Sequence, residues 1–233
     1  MIRAFNKMKP MQFYSVSHNS FVNEGFPWIN RVTSGLFNEA QCPICGRRPR
    51  VPSGGDIEAT LEPRLGSGWP DVLGCGAYPF FIVSPRVIDA WREERIGEFP
   101  HHKVTIVGPL PKRLVYKNQP DYCWLDGAKM QGALFDYNMS GFVGLYFCKG
   151  CGAAEFDVSA TYDRQHSRKY PYAFTTGSWH AANVFTTDLS PTLFFCTEAL
   201  LQCARQHRLT NFRFLDVEDG GAPGNTGIEY LEH

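Results

Sequence analysis

Two short cysteine motifs constrain the fold of this chain more than any other feature of its sequence. They are Cys42-Pro43-Ile44-Cys45-Gly46 and Cys148-Lys149-Gly150-Cys151-Gly152, and we call each Cys-x-x-Cys-Gly motif a knuckle. Two residues between the cysteines let both sulfur atoms face one point, and the following glycine can adopt the positive φ that turns the chain away. Together the knuckles supply four thiolates, the number that a closed tetrahedral zinc site requires.

The sequence therefore predicts a structural Zn²⁺ ion, because four thiolates leave no open position for a substrate. About a hundred residues separate the knuckles, whereas compact zinc ribbons usually place about 15–20 residues between them. Two alternatives stay open, namely disulfide bonds and redox-active dithiols of the thioredoxin type. No signal peptide opens the chain, however, and neither pair has the surroundings of a thioredoxin motif. The predicted metal ligands are Cys42, Cys45, Cys148 and Cys151.

Length and composition predict a single folded domain over residues 1–230. The chain has 233 residues, 43% of them hydrophobic, and a formal net charge of zero. Because no apolar run approaches the roughly 18 residues that span a bilayer, we expect no membrane partner and a cytoplasmic location. The neutral balance argues against broad electrostatic binding of nucleic acid. Residues 231–233, Leu-Glu-His, are interpreted as a tag remnant.

The pattern of apolar runs and helix signals predicts an α+β fold with mostly antiparallel sheets and a zinc-ribbon-like clip between the knuckles. Two principal helices are expected near 84–95 and 197–208, because Ser84 and Thr197 are residues that cap helix N-termini. Four single cysteines in apolar surroundings are predicted to be buried: Cys75, Cys123, Cys196 and Cys203. Short apolar or alternating runs predict strands at 11–16, 78–83, 103–107, 132–137, 141–147, 155–159, 192–196 and 211–215.

The order knuckle, capped helix and strand occurs twice. The knuckles are offset by 106 residues and the helix starts by 113. We take this as a hypothesis that two related halves, about 12–115 and 130–218, each donate one knuckle to a shared centre.

The motifs of common catalytic sites are missing, so we expect no enzymatic activity. Phe147 precedes the second knuckle where zinc deaminases have proline, and no phosphate-binding loop or His-Glu-x-x-His motif occurs. His101 and His102 are adjacent in a predicted strand and would point to opposite faces. A nucleophilic pair of Cys75 and His180 is disfavoured against a buried turn cysteine.

Two distant Cys-x-x-Cys-Gly motifs, followed late in the chain by a hydroxyl-capped helix and Asn211-Phe212-Arg213-Phe214, resemble the double-CXXCG family of myxobacterial immunity proteins against swarm-delivered toxins. The resemblance covers most of the chain and rests on the knuckle residues. It implies a cytoplasmic protein whose partner is one cognate toxin, which it binds and neutralises.

Such an inhibitor needs a rigid binding surface, which the metal clip would stabilise. Candidate segments are Gly54–Trp69, Tyr162–Tyr172 and Asp216–Gly221, of which the first two carry aromatic and arginine residues. The alternative function is a zinc-stabilised nucleic-acid-binding or regulatory module. It would use basic residues whose binding falls steeply with salt, namely Arg47, Arg48, Arg50 and the 164–169 segment.

Overall fold

The fold was analysed in a computed structural model. The structure describes residues 11–18, 26–32, 41–46, 54–62, 66–75, 80–168, 172–217 and 228–231. Arg47, Arg48 and Arg50, and the acidic residues Glu218 and Asp219, lie outside these ranges.

The described residues form fourteen strands and three α-helices. The helices are α1 (Pro85–Glu93), α2 (Val158–Arg168) and α3 (Glu198–Gln206). The strands of the N-terminal part are β1 (Phe13–His18), β2 (Ile29–Val32), β3 (Ile57–Leu61), β4 (Val72–Leu73), β5 (Ile82–Val83), β6 (His101–Ile106) and β7 (Cys123–Leu125). Those of the C-terminal part are β8 (Gly132–Ala133), β9 (Tyr146–Phe147), β10 (Ala154–Glu155), β11 (Val184–Thr187), β12 (Ser190–Thr197), β13 (Phe212–Asp216) and β14 (Ile228–Leu231).

Two six-stranded sheets and one two-stranded hairpin organise these strands. The first sheet has the order β2-β3-β6-β7-β5-β4 and the second β14-β13-β1-β12-β11-β8, while β9 pairs with β10. All pairs are antiparallel except β3 with β6 and β11 with β8. The predicted α+β class with mostly antiparallel sheets is therefore confirmed.

Each sheet contains the same arrangement of a helix between two parallel strands. In the first sheet, β5 and β6 flank β7 and are both antiparallel to it, and α1 connects them. In the second sheet, β12 and β13 flank β1 in the same way, and α3 connects them. We call these the α1 unit and the α3 unit. Because β1 belongs to the second sheet and β7 lies beyond residue 115, the boundaries proposed for two halves, about 12–115 and 130–218, do not coincide with the sheets.

The main core lies between the two units. Val87 and Trp91 of α1 and Leu200 and Ala204 of α3 are buried in one cluster with residues of both sheets. Successive strand residues point to opposite faces of a sheet. Val83 therefore faces this cluster, whereas its neighbour Ile82 contributes to a second core on the outer face of the first sheet. Burial on both faces explains why the strands beside the helices are continuously apolar.

The helix starts differ from the prediction in one respect. Neither the Ser84 nor the Thr197 side chain accepts a hydrogen bond from its own helix. The Ser84 hydroxyl donates instead to Oδ1 of Asp71 at 2.9 Å, and the Thr197 hydroxyl donates to Oδ1 of Asn183 at 2.9 Å. The two helices are thus located correctly, but their hydroxyl residues bind a neighbouring strand end rather than capping the helix.

Helix α2 is a correction to the sequence analysis, which placed a strand at 155–159. Only Ala154–Glu155 is extended, and the helix begins at Val158. Asp157 explains the change, because its Oδ1 accepts the N–H of Ala160 at 2.8 Å and its carbonyl accepts the N–H of Thr161 at 2.9 Å. Asp157 is therefore an N-cap residue.

Candidate metal centre

The second knuckle lies at the tip of the β9–β10 hairpin. Phe147 pairs with Ala154 across the hairpin, and the N–H of Cys148 donates to the carbonyl of Ala153 at 2.9 Å. The N–H of Gly152 donates back to the carbonyl of Cys148 at 2.8 Å, and Gly152 has φ +70°. This positive φ, which favours glycine, lets the chain leave the turn as the sequence predicted.

The first knuckle repeats this geometry. Gly46 has φ +71°, and its N–H donates to the carbonyl of Cys42 at 2.9 Å. The side-chain amide of Gln41 closes the turn from outside by donating to the carbonyl of Gly46 at 2.7 Å. Two segments far apart in the sequence therefore adopt the same compact turn.

The four predicted ligands meet at one point. Sγ of Cys42 lies 3.7 Å from Sγ of Cys148, and Sγ of Cys45 lies 3.6 Å from Sγ of Cys151. All four sulfur atoms lie within 4.8 Å of one another. A tetrahedron with metal–sulfur distances of about 2.3 Å has sulfur–sulfur edges of about 3.8 Å, so the cluster matches a four-thiolate metal site.

Backbone N–H groups stabilise the thiolate form at the first cysteine of each knuckle. The N–H groups of Cys45 and then Ile44 lower the pKa of Cys42 to about 6. In the second knuckle the N–H groups of Cys151 and then Gly150 lower the pKa of Cys148. For Cys151 the N–H of Ala153 and the sulfur of Cys45 act in the same direction, but burial and the sulfurs of Cys42 and Cys148 raise its pKa overall. Negative charge thus accumulates at the sulfur cluster, where a cation would compensate it.

Close packing between the knuckles depends on Gly150. A Cβ at this position would lie 3.1 Å from Sγ of Cys42 and 3.0 Å from Cδ1 of Ile44. Ile44 occupies the matching position of the first knuckle and is 67% exposed. The first knuckle therefore has the Ile44 side chain at the position where the second knuckle has Gly150, and this side chain packs against Gly150.

An aromatic cluster connects the second knuckle to the second sheet. The rings of Phe147 and Tyr137 lie 5.7 Å apart, and the rings of Tyr137 and Phe142 lie 5.5 Å apart. Phe142 in turn contacts Phe135, which is buried against β12. This connection could not be predicted from the sequence, because its members come from separate turns and strands.

The other cysteines and histidines considered from sequence lie apart from this cluster. Cys75, Cys123, Cys196 and Cys203 are buried, as predicted. Burial raises the pKa of Cys75 to about 12, and its thiol donates to the carbonyl of Phe80 at 2.9 Å.

His102 contacts the buried side chain of Asp126 instead of forming part of a metal site. Its Nε2 lies 3.0 Å from Oδ2 of Asp126, which also accepts from Nζ of Lys129 at 2.9 Å. Burial alone would raise the pKa of Asp126, but these hydrogen bonds outweigh burial and lower it. His101 is exposed on the other face, as the strand alternation predicted.

Sequence reasoning missed a second group of potential ligands, formed by Glu93, Glu94 and His207 where α1 and α3 end. Oε1 of Glu94 accepts from the side chains of Gln206 at 2.6 Å and His207 at 3.0 Å. These contacts already engage Glu94 within the protein, and we assign the group a role in joining the two helices.

The fold and the cluster define the class of this molecule as an α+β protein with a four-cysteine site able to hold a metal ion. None of the described helices is long and apolar enough to cross a membrane. No protein-family model and no curated protein matches the chain. The resemblance to the double-CXXCG family therefore stays a prediction drawn from the knuckles.

Proposed function

We propose that this chain is a non-catalytic immunity protein that binds and neutralises a cognate toxin, with a structural zinc ion at the four cysteines. The convergence of Cys42, Cys45, Cys148 and Cys151 carries this proposal. Thiolate ligands favour zinc, and four of them fill its tetrahedral coordination. Such an ion holds two distant segments together and leaves no position for a substrate.

A cytoplasmic location is part of the same proposal. Zinc–thiolate sites require reduced cysteines, and the cytosol keeps thiols reduced. The eight cysteines, all of which the structure describes, form no disulfide bonds with one another, including the four of the cluster.

Exposed apolar side chains on the first knuckle, on β9 and on the first turns of α2 support a protein partner. We define the clip surface as Ile44, Tyr146, Phe147, Val158 and Tyr162, each of which is more than 40% exposed. Exposed large apolar residues that gather in one region are typical of protein–protein interfaces. The metal ion would hold this surface rigid, which reduces the entropy lost on binding.

The candidate binding segments from the sequence contribute unequally to this surface. Tyr162 is exposed on α2, whereas Tyr172 packs into the aromatic cluster. Trp69 packs near the buried ring of Tyr122, so its role is structural. Most of the segment from Asp216 onwards lies outside the described residues.

Co-purification with the toxin encoded beside this gene tests the proposal. We expect a stoichiometric complex, and we expect zinc analysis of the same sample to find one ion per chain. Tyr146→Ala and Val158→Asp should each weaken the complex about tenfold or more, since truncated interface anchors cost about 1–2 kcal/mol or more.

Tyr116→Ala is the matched control, because Tyr116 is 95% exposed and lies outside the clip surface. It should leave toxin affinity unchanged. Failure to form a complex would refute the immunity function while leaving the zinc assignment to the metal analysis. Tight binding to nucleic acid that falls steeply with salt would instead favour the alternative module.

A further inference from the structure

The four cysteines of the cluster differ in their access to solvent. Cys42 and Cys148, the first cysteine of each knuckle, are 6% and 5% exposed. Cys45 and Cys151, the second cysteine of each knuckle, are only half-buried. A backbone N–H also engages a sulfur of the enclosed pair, since Gly150 donates to Sγ of Cys148 at 3.4 Å. A small oxidant that arrives from solvent therefore meets Cys45 and Cys151 first.

The two accessible cysteines belong to different knuckles. Sγ of Cys45 and Sγ of Cys151 are 3.6 Å apart, which is about 1.5 Å longer than the S–S bond of a disulfide. These residues are separated by 106 positions in the sequence. A covalent bond between them would therefore join the same two distant segments that a metal ion joins.

We propose that Cys45 and Cys151 form a redox modification site, at which hydrogen peroxide produces a disulfide that replaces the metal ion as the link between the knuckles. The inference rests on the zinc clip of the proposed function and is independent of the toxin. The clip then has two closed forms, one that is reduced and holds zinc and one that is oxidised and holds none.

One peroxide molecule oxidises the two thiolates. The thiolate of Cys45 attacks a peroxide oxygen, the O–O bond breaks, and a sulfenic acid and hydroxide form. The thiolate of Cys151 then attacks the sulfenic sulfur, which forms the S–S bond and expels a second hydroxide. The two sulfur atoms together lose the two electrons that the peroxide gains. Only two thiolates of the cluster remain, which is too few to hold a structural zinc ion.

The position of the disulfide decides whether the clip survives oxidation. A bond between Cys45 and Cys151 closes a loop of about a hundred residues and so restricts the unfolded chain strongly. It also keeps the Ile44 side chain beside Gly150. A bond inside each knuckle would close only a short turn and leave the two segments free to separate.

Peroxide treatment of the reduced, zinc-loaded, full-length protein tests this inference. Two thiols should be lost for each peroxide consumed, and zinc should pass to a colorimetric chelator. Trypsin cleaves after Lys149 and thereby separates Cys148 from Cys151. After alkylation of the remaining thiols, mass spectrometry without reduction should find peptide 150–164 linked to peptide 32–47 through Cys45, with Cys42 alkylated. The four cysteines outside the cluster are buried and should stay reduced.

Paired variants compare the accessible and the enclosed cysteines. The double variant Cys42→Ser, Cys148→Ser keeps the accessible pair and should still form the disulfide. The double variant Cys45→Ser, Cys151→Ser keeps the enclosed pair and should react at least about tenfold more slowly, because oxidation follows exposure. Disulfide mapping of the wild-type protein does not depend on how well either variant folds.

Thermal unfolding measures whether the disulfide replaces the ion. The oxidised protein should melt about 10 °C above the metal-free, reduced protein. Equal melting temperatures, or bonds that join Cys42 to Cys45 and Cys148 to Cys151, would overturn the inference and leave the immunity function untouched. Metal analysis before oxidation tests the zinc assignment separately, so a failure there is distinguished from a failure of the disulfide.

Discussion

The α1 unit and the α3 unit have the same arrangement of strands and helix but differ in their side chains. Both helices end with the same hydrogen-bond pattern, in which the N–H groups of Ile96 and Leu209 reach back five residues to the carbonyls of Trp91 and Ala204. The residues before them, Arg95 and Arg208, have φ +54° and +49°. These are Schellman motifs, and the matched positions differ by 113 in residue number throughout. The two helices therefore end in the same backbone conformation, although the side chains on their faces differ.

The two units also hold each other by reciprocal contacts. Asp71, beside the start of α1, accepts the N–H of Thr210 beyond the end of α3 at 2.8 Å. Asn183, beside the start of α3, donates to the carbonyl of Ile96 beyond the end of α1 at 3.1 Å. The two contacts differ in charge, because Asp71 is a buried carboxylate that also pairs with Arg86 at 2.7 Å. Each unit thus makes a hydrogen bond to the helix end of the other, and only the contact at Asp71 adds a charged pair.

The largest expected effect comes from breaking the metal clip, to which the two knuckles should contribute equally. Cys45→Ser and Cys151→Ser should each abolish stoichiometric zinc binding and lower the melting temperature by about 10 °C or more, because structural zinc contributes directly to folding free energy. Metal analysis and thermal unfolding measure both effects. Cys123→Ala, which truncates a buried cysteine outside the cluster, is the control and should retain zinc. A variant that loses a knuckle cysteine yet keeps one tightly bound ion would contradict the clip.

The next effect concerns the reciprocal contacts between the units. Asp71→Ala should destabilise the protein by about 3 kcal/mol, because it leaves Arg86, Ser84 and Thr210 without their shared acceptor. Asn183→Ala should cost less, about 1–2 kcal/mol, since it removes neutral hydrogen bonds only. Denaturant unfolding would measure both values. Equal costs would mean that the charge of Asp71 adds nothing to the contact.

Local sequence signals predicted those parts of the fold that depend on neighbouring residues. The knuckle turns follow from Cys-x-x-Cys-Gly, and the helix after Ser84-Pro85 follows from a residue pattern that starts helices. Helix α2 was also within reach of the sequence, because Asp157 is a common N-cap type; the alternation of Phe156 and Val158 was instead interpreted as a strand.

Long-range contacts explain what could not be predicted. Asp71 and Thr210 are 139 residues apart, and nothing near Asp71 indicates that it binds the end of another helix. The insertion of β1 between β12 and β13 likewise depends on complementary faces rather than local propensity. In the site, spacing indicated the four ligands but not the role of Ile44 in covering Gly150.

A smaller effect should follow from making the knuckles alike. Gly150→Ala places a methyl group against Sγ of Cys42 and the Ile44 side chain, so the knuckles must separate by a few tenths of an ångström. We expect weaker zinc affinity and a loss of about 1–2 kcal/mol of stability, in the range of overpacked sites. Competition with a chelator would measure the affinity. Lys149→Ala, at the neighbouring exposed position, should behave as wild type.

Ile44→Ala in the Gly150→Ala background sharpens this comparison. Removing the isoleucine side chain relieves one of the two close contacts, so the double variant should recover part of the lost affinity. If zinc affinity does not recover, the contact with Sγ of Cys42 alone limits how closely the two knuckles can approach each other.

The smallest expected effect tests whether the helix ends are equivalent. Arginine in the left-handed region is strained relative to glycine, so Arg95→Gly and Arg208→Gly should each stabilise the protein by up to about 1 kcal/mol. Arg92→Gly, inside α1, is the control and should destabilise by about 1 kcal/mol. The two stabilising changes lie in separate motifs and should add in the double variant. Unequal gains would show that the arginine side chains themselves contribute at one end, and the larger gain would identify the end at which backbone strain dominates.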